Sequence, residues 1–148
     1  MIFTIIVNTH NQHKTINRCI KSCLTQNFKK KYEIIVIDTS EKKLRNKFLK
    51  SKKIRYFHYK AFSKFPEVNQ LKKVFLGFKK SKGQWICLMD GDDCFKKDKL
   101  KYIHDNYNLN NQALIQDFSC NFIEINKRKI IPKIKSYKKN LLYKKIIN

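Results

Sequence analysis

Asp90-Gly91-Asp92-Asp93 places three carboxylates within four residues of a chain that has only 11 acidic residues in 148. Carboxylates this close repel one another unless a cation lies among them, and their hard oxygens suit Mg²⁺ or Mn²⁺. An ion held by one or two carboxylates completes its shell with water and substrate phosphate, so the cluster suits a diphosphate-bearing ligand. Taken alone, such a cluster is more often an acidic surface turn. Its position favours chemistry, because it follows the apolar run Trp85-Ile86-Cys87-Leu88-Met89. An EF-hand is excluded: neither the glycine nor a closing glutamate is where that loop needs it. The chain also lacks a P-loop, a G-x-G-x-x-G turn and a G-x-S-x-G elbow.

The elements that must carry this cluster are legible in the hydrophobic pattern. Phe3 to Val7 is a strand-like run that ends in Asn8-Thr9-His10-Asn11. Ile16, Cys19, Ile20, Cys23 and Leu24 then recur as one helix face. Glu33 to Ile37, ending at Asp38, is apolar enough for a parallel strand covered on both faces. Ile54 to Tyr59 predicts a third strand. Val68, Leu71, Phe75 and Phe78 mark a second helix, with Gly83 as a stop beyond it. Trp85 to Met89 predicts a fourth strand, Leu100, Ile103 and Tyr107 a third helix, and Ala113 to Phe118 a fifth strand. Alternating strands and helices predict an α/β fold with a mostly parallel sheet flanked by helices. Ligands in such sheets sit beyond the carboxyl ends of the strands. Asn8 to Asn11, Asp38 and Asp90 to Asp93 all fall at those ends.

These segments together resemble the family 2 glycosyltransferases of the GT-A fold. Thr4-Ile5-Ile6-Val7-Asn8-Thr9-His10-Asn11 is similar to their opening strand and turn, and Cys19-Ile20 with Ser22, Leu24 and Gln26 to their first helix. Glu33 to Asp38, with Ser40, is similar to the second strand. Gly83 to Asp93 resembles the strand leading into that family's D-x-D, and Lys99-Leu100 the helix after it. The likeness covers residues 2–118. It implies that Thr9, Asn11 and nearby backbone line a nucleotide pocket and that Asp38 accepts a hydrogen bond from the base. It further implies that Asp90 touches the ribose or a metal-bound water, and that Asp92, with Asp93, holds Mn²⁺ or Mg²⁺ on the diphosphate. The implied donor is a nucleotide-sugar, most often a UDP-sugar, and the implied acceptor a glycan or a lipid-linked molecule, as in polysaccharide biosynthesis. Departures are visible too. Asn8 replaces a usual Pro, Thr39 a frequent second Asp, and Val74-Phe75 a usual Arg-Asn. The family's downstream base has no evident counterpart, since Asp117 and Glu124 are the only acids after Asp105. The catalytic base therefore stays unassigned. A fragment that needs a partner chain for its acceptor half, or an inactive one, is the companion reading.

Composition frames these expectations. Lys+Arg total 34, giving a formal net charge of +23, with 42% hydrophobic and 13% aromatic residues, enough apolar material for one core. Lys, Asn, Ile, Phe and Tyr abound while Ala occurs only at 61 and 113, a bias that A/T-rich codons alone would produce. Attraction to nucleic acid, anionic lipid or a phosphorylated substrate is the other source of such charge. A basic nucleic-acid- or membrane-binding protein is accordingly a reading of a different class, marked by steep salt dependence. Residues 1–126 are expected to form the GT-A-like domain. Residues 127–148, with no acid after Glu124, are expected to form a basic, partly helical tail able to make peripheral contact with an anionic membrane. The odd set Cys19, Cys23, Cys87, Cys94 and Cys120 has no C-x-x-C pair, so neither a disulfide framework nor a zinc site is expected. No run reaches the roughly 18 apolar residues of a membrane span. The N-terminus lacks a signal-peptide pattern, and a reducing cytoplasm fits best.

Overall fold

The computed structural model describes residues 1–107, 123–125 and 128–130. The chain divides into two units, Met1–Leu109 and Asn110–Asn148. The first unit runs β1 (Phe3–Thr9), α1 (Ile16–Leu24), β2 (Tyr32–Asp38), β3 (Ile54–His58), α2 (Pro66–Lys80), β4 (Trp85–Asp90) and α3 (Lys99–Asn106), with a 3₁₀ turn at Lys47–Lys50 between β2 and β3. Its four strands form one parallel sheet in the order β3-β2-β1-β4. The expected α/β class and parallel sheet are therefore present. In the second unit, β5 (Ile123–Ile125) and β6 (Arg128–Ile130) pair antiparallel, with Glu124 opposite Lys129. The expected tail thus contributes a strand in its described part. The strand predicted at Ala113 to Phe118 lies outside the described residues.

The two central strands are buried along their whole length, as their unbroken apolar runs require. Successive side chains of a strand point to opposite faces. Ile6, Ile35 and Ile37 form one core face with Phe57, Leu76 and Ile86. Their neighbours Ile5, Val7, Ile34 and Val36 are equally buried, so both faces are covered. On α1 the predicted stripe holds: Ile16, Cys19, Ile20 and Cys23 are all buried. A hydrogen bond to Cys23 and burial hold the Cys19 thiol far above its ordinary value, and burial pushes Cys87 up to about 12. Thiolate is the reactive form. Native protein at pH 8 is therefore expected to leave Cys19 and Cys87 unalkylated by iodoacetamide, and to release both on denaturation. Mass spectrometry of the peptides checks this.

Helix α2 is oriented in a way that its apolar stripe alone does not give. It forms where predicted, entered by Pro66 in its first turn and closed by Lys79 and Lys80 in its last. Its apolar stripe faces outward, however. Leu71, Phe75 and Phe78 are 57%, 58% and 60% exposed, whereas the buried residues are Asn69, Lys73 and Gly77. The reason is the sheet beneath. A Cβ on Gly77 would lie 2.5 Å from Ile6 Cγ2, so only glycine lets this face of the helix approach β1 so closely. Asn69 and Lys73 meet polar partners at the strand ends. His58 pairs through Nε2 with the Ser40 carbonyl at 2.8 Å. Trp85 is only half-buried, on the outer strand of the described sheet. His104 bonds both Lys30 and Asp105.

Candidate functional site

The parallel register brings the predicted polar residues to one edge. Thr9 lies opposite Asp38, and Asn8 opposite Asp90. The turns beyond these strands are tied together by backbone bonds. Thr9 O accepts from Thr39 N at 3.1 Å, and Asn8 O accepts from Gly91 N at 2.8 Å. Asn11, with φ 55°, takes the left-handed conformation that Asn tolerates. Its N–H donates to Ser40 Oγ at 2.8 Å, and its Oδ1 accepts from Glu41 N at 3.1 Å. His10 Nδ1 contacts Thr39 O at 2.7 Å, so this nitrogen carries a proton. The first and second turns are thereby joined at several points.

Asp38 is fully buried, and both of its oxygens are engaged. Oδ1 accepts from Ser40 N at 2.8 Å and Oδ2 from Tyr56 Oη at 2.7 Å. Burial and the Asp38 bond push the Tyr56 hydroxyl above its ordinary value, so it stays a neutral donor. Asp38 thus shapes the turn that follows β2. Each oxygen keeps a second acceptor site, so contact with a base needs the turn over the buried Asp38 to open, not a bond to be given up.

The acidic turn is held from below and left open above. Asp93 N donates to Asp90 O at 3.0 Å, Cys19 Sγ to the same oxygen at 3.4 Å, and Arg18 Nη2 to Asp92 O at 3.0 Å. Asp90 Oδ1 accepts from Gln70 Nε2 at 3.1 Å. Burial, then the Asp92 and Asp93 carboxylates, raise the Asp90 pKa, while Lys73 and the Gln70 bond oppose that rise. The carboxylates of Asp92 and Asp93 are exposed to solvent. Gly91 is obligatory here, since a Cβ would lie 2.8 Å from Thr9 Oγ1. Thr9 Oγ1 and Asn8 Oδ1 are buried at this edge without a hydrogen-bond partner among the described residues. Buried polar atoms are almost always satisfied, so orphaned ones mark a place for water or ligand.

Two further contributors come from α2 beside Gln70, and none of the three was visible as a site residue in the sequence. Lys73, only 5% exposed, donates from Nζ to Thr9 O at 3.3 Å. Burial lowers its pKa, while the Asp90 and Asp38 carboxylates pull the other way. Asn69 Nδ2 donates to Thr39 Oγ1 at 3.0 Å, and its Oδ1 accepts from Phe62 N at 3.0 Å. The available signal was Asn69, Gln70, Lys73 and Gly77 falling along one helix face, opposite the apolar stripe.

Thr9, Asn11, Asp38, Asp90, Asp92 and Asp93 therefore share one edge, as expected. Among the described residues no three His, Cys, Asp or Glu side chains converge into a cage for a metal ion. An exposed carboxylate pair beside a third, whose pKa is raised by burial first and by their charges second, fits an ion held partly by the protein and partly by substrate oxygens. Asp117 lies outside the described residues, and Glu124 is placed only as part of β5.

The model of the Glycosyl transferase family 2 matches residues 4–147, and the chain belongs to that family. An uncharacterized glycosyltransferase of Rickettsia felis is 32% identical over 111 residues, 70% of this chain and 17% of the relative. An uncharacterized glycosyltransferase of Mycoplasma genitalium is 31% identical over 108 residues, 69% of this chain and 35% of the relative. The chain thus spans well under half the length of these relatives. Among solved structures, S. aureus TarS 1-349 in complex with UDP-GlcNAc is similar with TM-score 0.57 and 20% identity, covering 78% of this chain and 37% of TarS. At that identity the likeness speaks for the fold. No helix among the described residues is long and apolar enough to cross a membrane.

Proposed function

We propose that this chain is the nucleotide-sugar-binding part of a glycosyltransferase that uses a divalent metal and moves a sugar to a glycan or lipid-linked acceptor. The observation that carries this reading is the convergence of the Thr9–Asn11 turn, the Asp38–Ser40 turn and the Asp90–Asp93 turn at one edge, beside two buried oxygens without partners. The family membership supports it, and the UDP-GlcNAc and UDP complexes of TarS support a UDP-sugar as donor. Asp92, with Asp93, would hold Mn²⁺ or Mg²⁺ against the diphosphate, and Asp90 would face the ribose or a metal-bound water. When bound, the ion offsets the negative charge that grows on the departing nucleoside diphosphate. Thr9, Asn11 and the Ser40 turn line the nucleotide side, and Asp38 meets the base through a remaining acceptor site once the turn over it opens. Transfer forms a bond from the acceptor oxygen to the anomeric carbon as the bond to the diphosphate breaks, and the acceptor proton passes to a base.

Binding of UDP, GDP and dTDP is measured with and without Mn²⁺ in moderate salt, alongside Asp92→Asn. The expected result is metal-dependent binding selective for one base, weakened at least about tenfold by the substitution, as for loss of a charged ligand contact. Binding indifferent to metal, base and substitution would instead be attraction between polyphosphate and a protein of net charge +23.

A further inference from the structure

A second candidate ligand site lies at the opposite end of the sheet. A pocket of about 440 Å³ opens where β2, β3 and β4 begin, lined by Met1, Phe28, Tyr32 and a ring of cations. Seven of its eleven lining residues are Lys or Arg, against 34 of 148 in the whole chain, so codon bias does not explain this density. Its single carboxylate, Glu33, is already engaged. It accepts from Arg55 Nη1 at 3.1 Å and from Thr4 and the Lys82 backbone. Lys30 bonds His104 Nε2 at 2.9 Å, and the Lys53 ammonium sits 4.4 Å from the Tyr32 ring centroid. The ammonium groups of Lys29, Lys31, Lys52 and Lys82 have no partner among the described residues.

We infer that this pocket binds a phosphate-bearing anion. Cations crowded into one concavity repel each other, and the field they make concentrates an anion of complementary size. Phosphate oxygens can accept from several ammonium groups at once. The pocket is separate from the acidic turn, since a seven-residue strand spans about 20 Å from one sheet edge to the other. Lipid headgroups and soluble phosphates share this chemistry, and the two are separable by experiment. A lipid headgroup here would set the sheet's carboxyl edge away from the bilayer.

The test uses the full chain with two probes: pyrophosphate, and phosphatidylcholine vesicles doped with phosphatidylglycerol. Lys29, Lys31, Lys52 and Lys82 are replaced together by Glu, and in a second variant by Gln, which limits any folding defect. Lys42, Lys43, Lys72 and Lys79, all exposed outside the pocket, are replaced by Glu as a control of equal charge. A lysine at an anionic surface is worth about fivefold in affinity. The expected result is a loss of at least about tenfold for the pocket variants on one of the probes, with a several-fold smaller loss in the control. Loss on vesicles alone identifies a lipid headgroup, and loss on pyrophosphate identifies a soluble phosphate. Equal losses in pocket and control variants, or no binding of either probe, overturn the inference. Both probes are added without divalent metal, so the acidic turn, whose proposed diphosphate binding needs the ion, does not contribute to the outcome.

Discussion

Glu33→Ala is expected to lower stability by about 3 kcal/mol, the scale of removing a buried charged acceptor from several donors. Glu33 is 5% exposed at the start of β2. Its Oε1 accepts from Thr4 Oγ1 of β1 at 2.9 Å and from Lys82 N before β4 at 2.6 Å, and its Oε2 from Arg55 of β3 at 3.1 Å. Thr4 Oγ1 in turn accepts from Gly83 N at 2.8 Å. One carboxylate therefore joins all four strands at the edge remote from the acidic turn. Alanine leaves the Thr4 hydroxyl and the Lys82 amide without their acceptor. Glu33→Gln keeps the shape and one acceptor oxygen but points an amide donor at Arg55, so a smaller loss is expected. Urea unfolding of the two variants measures this. A change below about 0.5 kcal/mol for Glu33→Ala, the scale of an ordinary surface substitution, contradicts the account.

Gly77→Val is the second large effect, expected at about 2 kcal/mol or more from forcing side-chain atoms into filled space. A Cβ at position 77 would lie 2.5 Å from Ile6 Cγ2 and 3.0 Å from Cδ1, both at the centre of the sheet. Helix propensity acts in the opposite direction, since replacing an interior glycine by alanine gains up to about 1 kcal/mol. The comparison that isolates the clash is therefore Gly77→Ala combined with Ile6→Ala. Removing the Ile6 methyls should cost less in the Gly77→Ala background than in the parent, with a coupling of about 1 kcal/mol. Additive losses would mean that the helix does not rest on Ile6 as described.

The parallel sheet was legible because β1 and β2 are apolar on both faces, a pattern that belongs to buried parallel strands. The edge carrying the polar residues followed from where those runs stop. Register could not be read in advance, because it depends on pairing: the strands continue through Thr9 and Asp38, so residues expected in turns are the last members of the ladder. The inward face of α2 was not legible, for a related reason. Periodicity gives the helix and the direction of its apolar stripe, but not which stripe meets the sheet. Here the strand ends offer Thr9 O and Thr39 Oγ1, which Lys73 and Asn69 satisfy, and Gly77 permits the contact. Asp38 was legible as a polar residue at this edge, while one of its two intramolecular bonds comes from Tyr56, on a strand that carries no motif.

The even carboxyl edge also acts as a ruler. Thr9, Asp38 and Asp90 keep their spacing because three strands end within a residue of each other in register. The connection at residues 41–50 lies outside the ladder, so extra residues there would lengthen a loop and leave the edge where it is. One residue inserted within β2 would instead advance Asp38 by about 3.3 Å and turn its side chain to the opposite face of the sheet. Length variation among natural or engineered versions of this chain should therefore collect in the connections and stop at the strands.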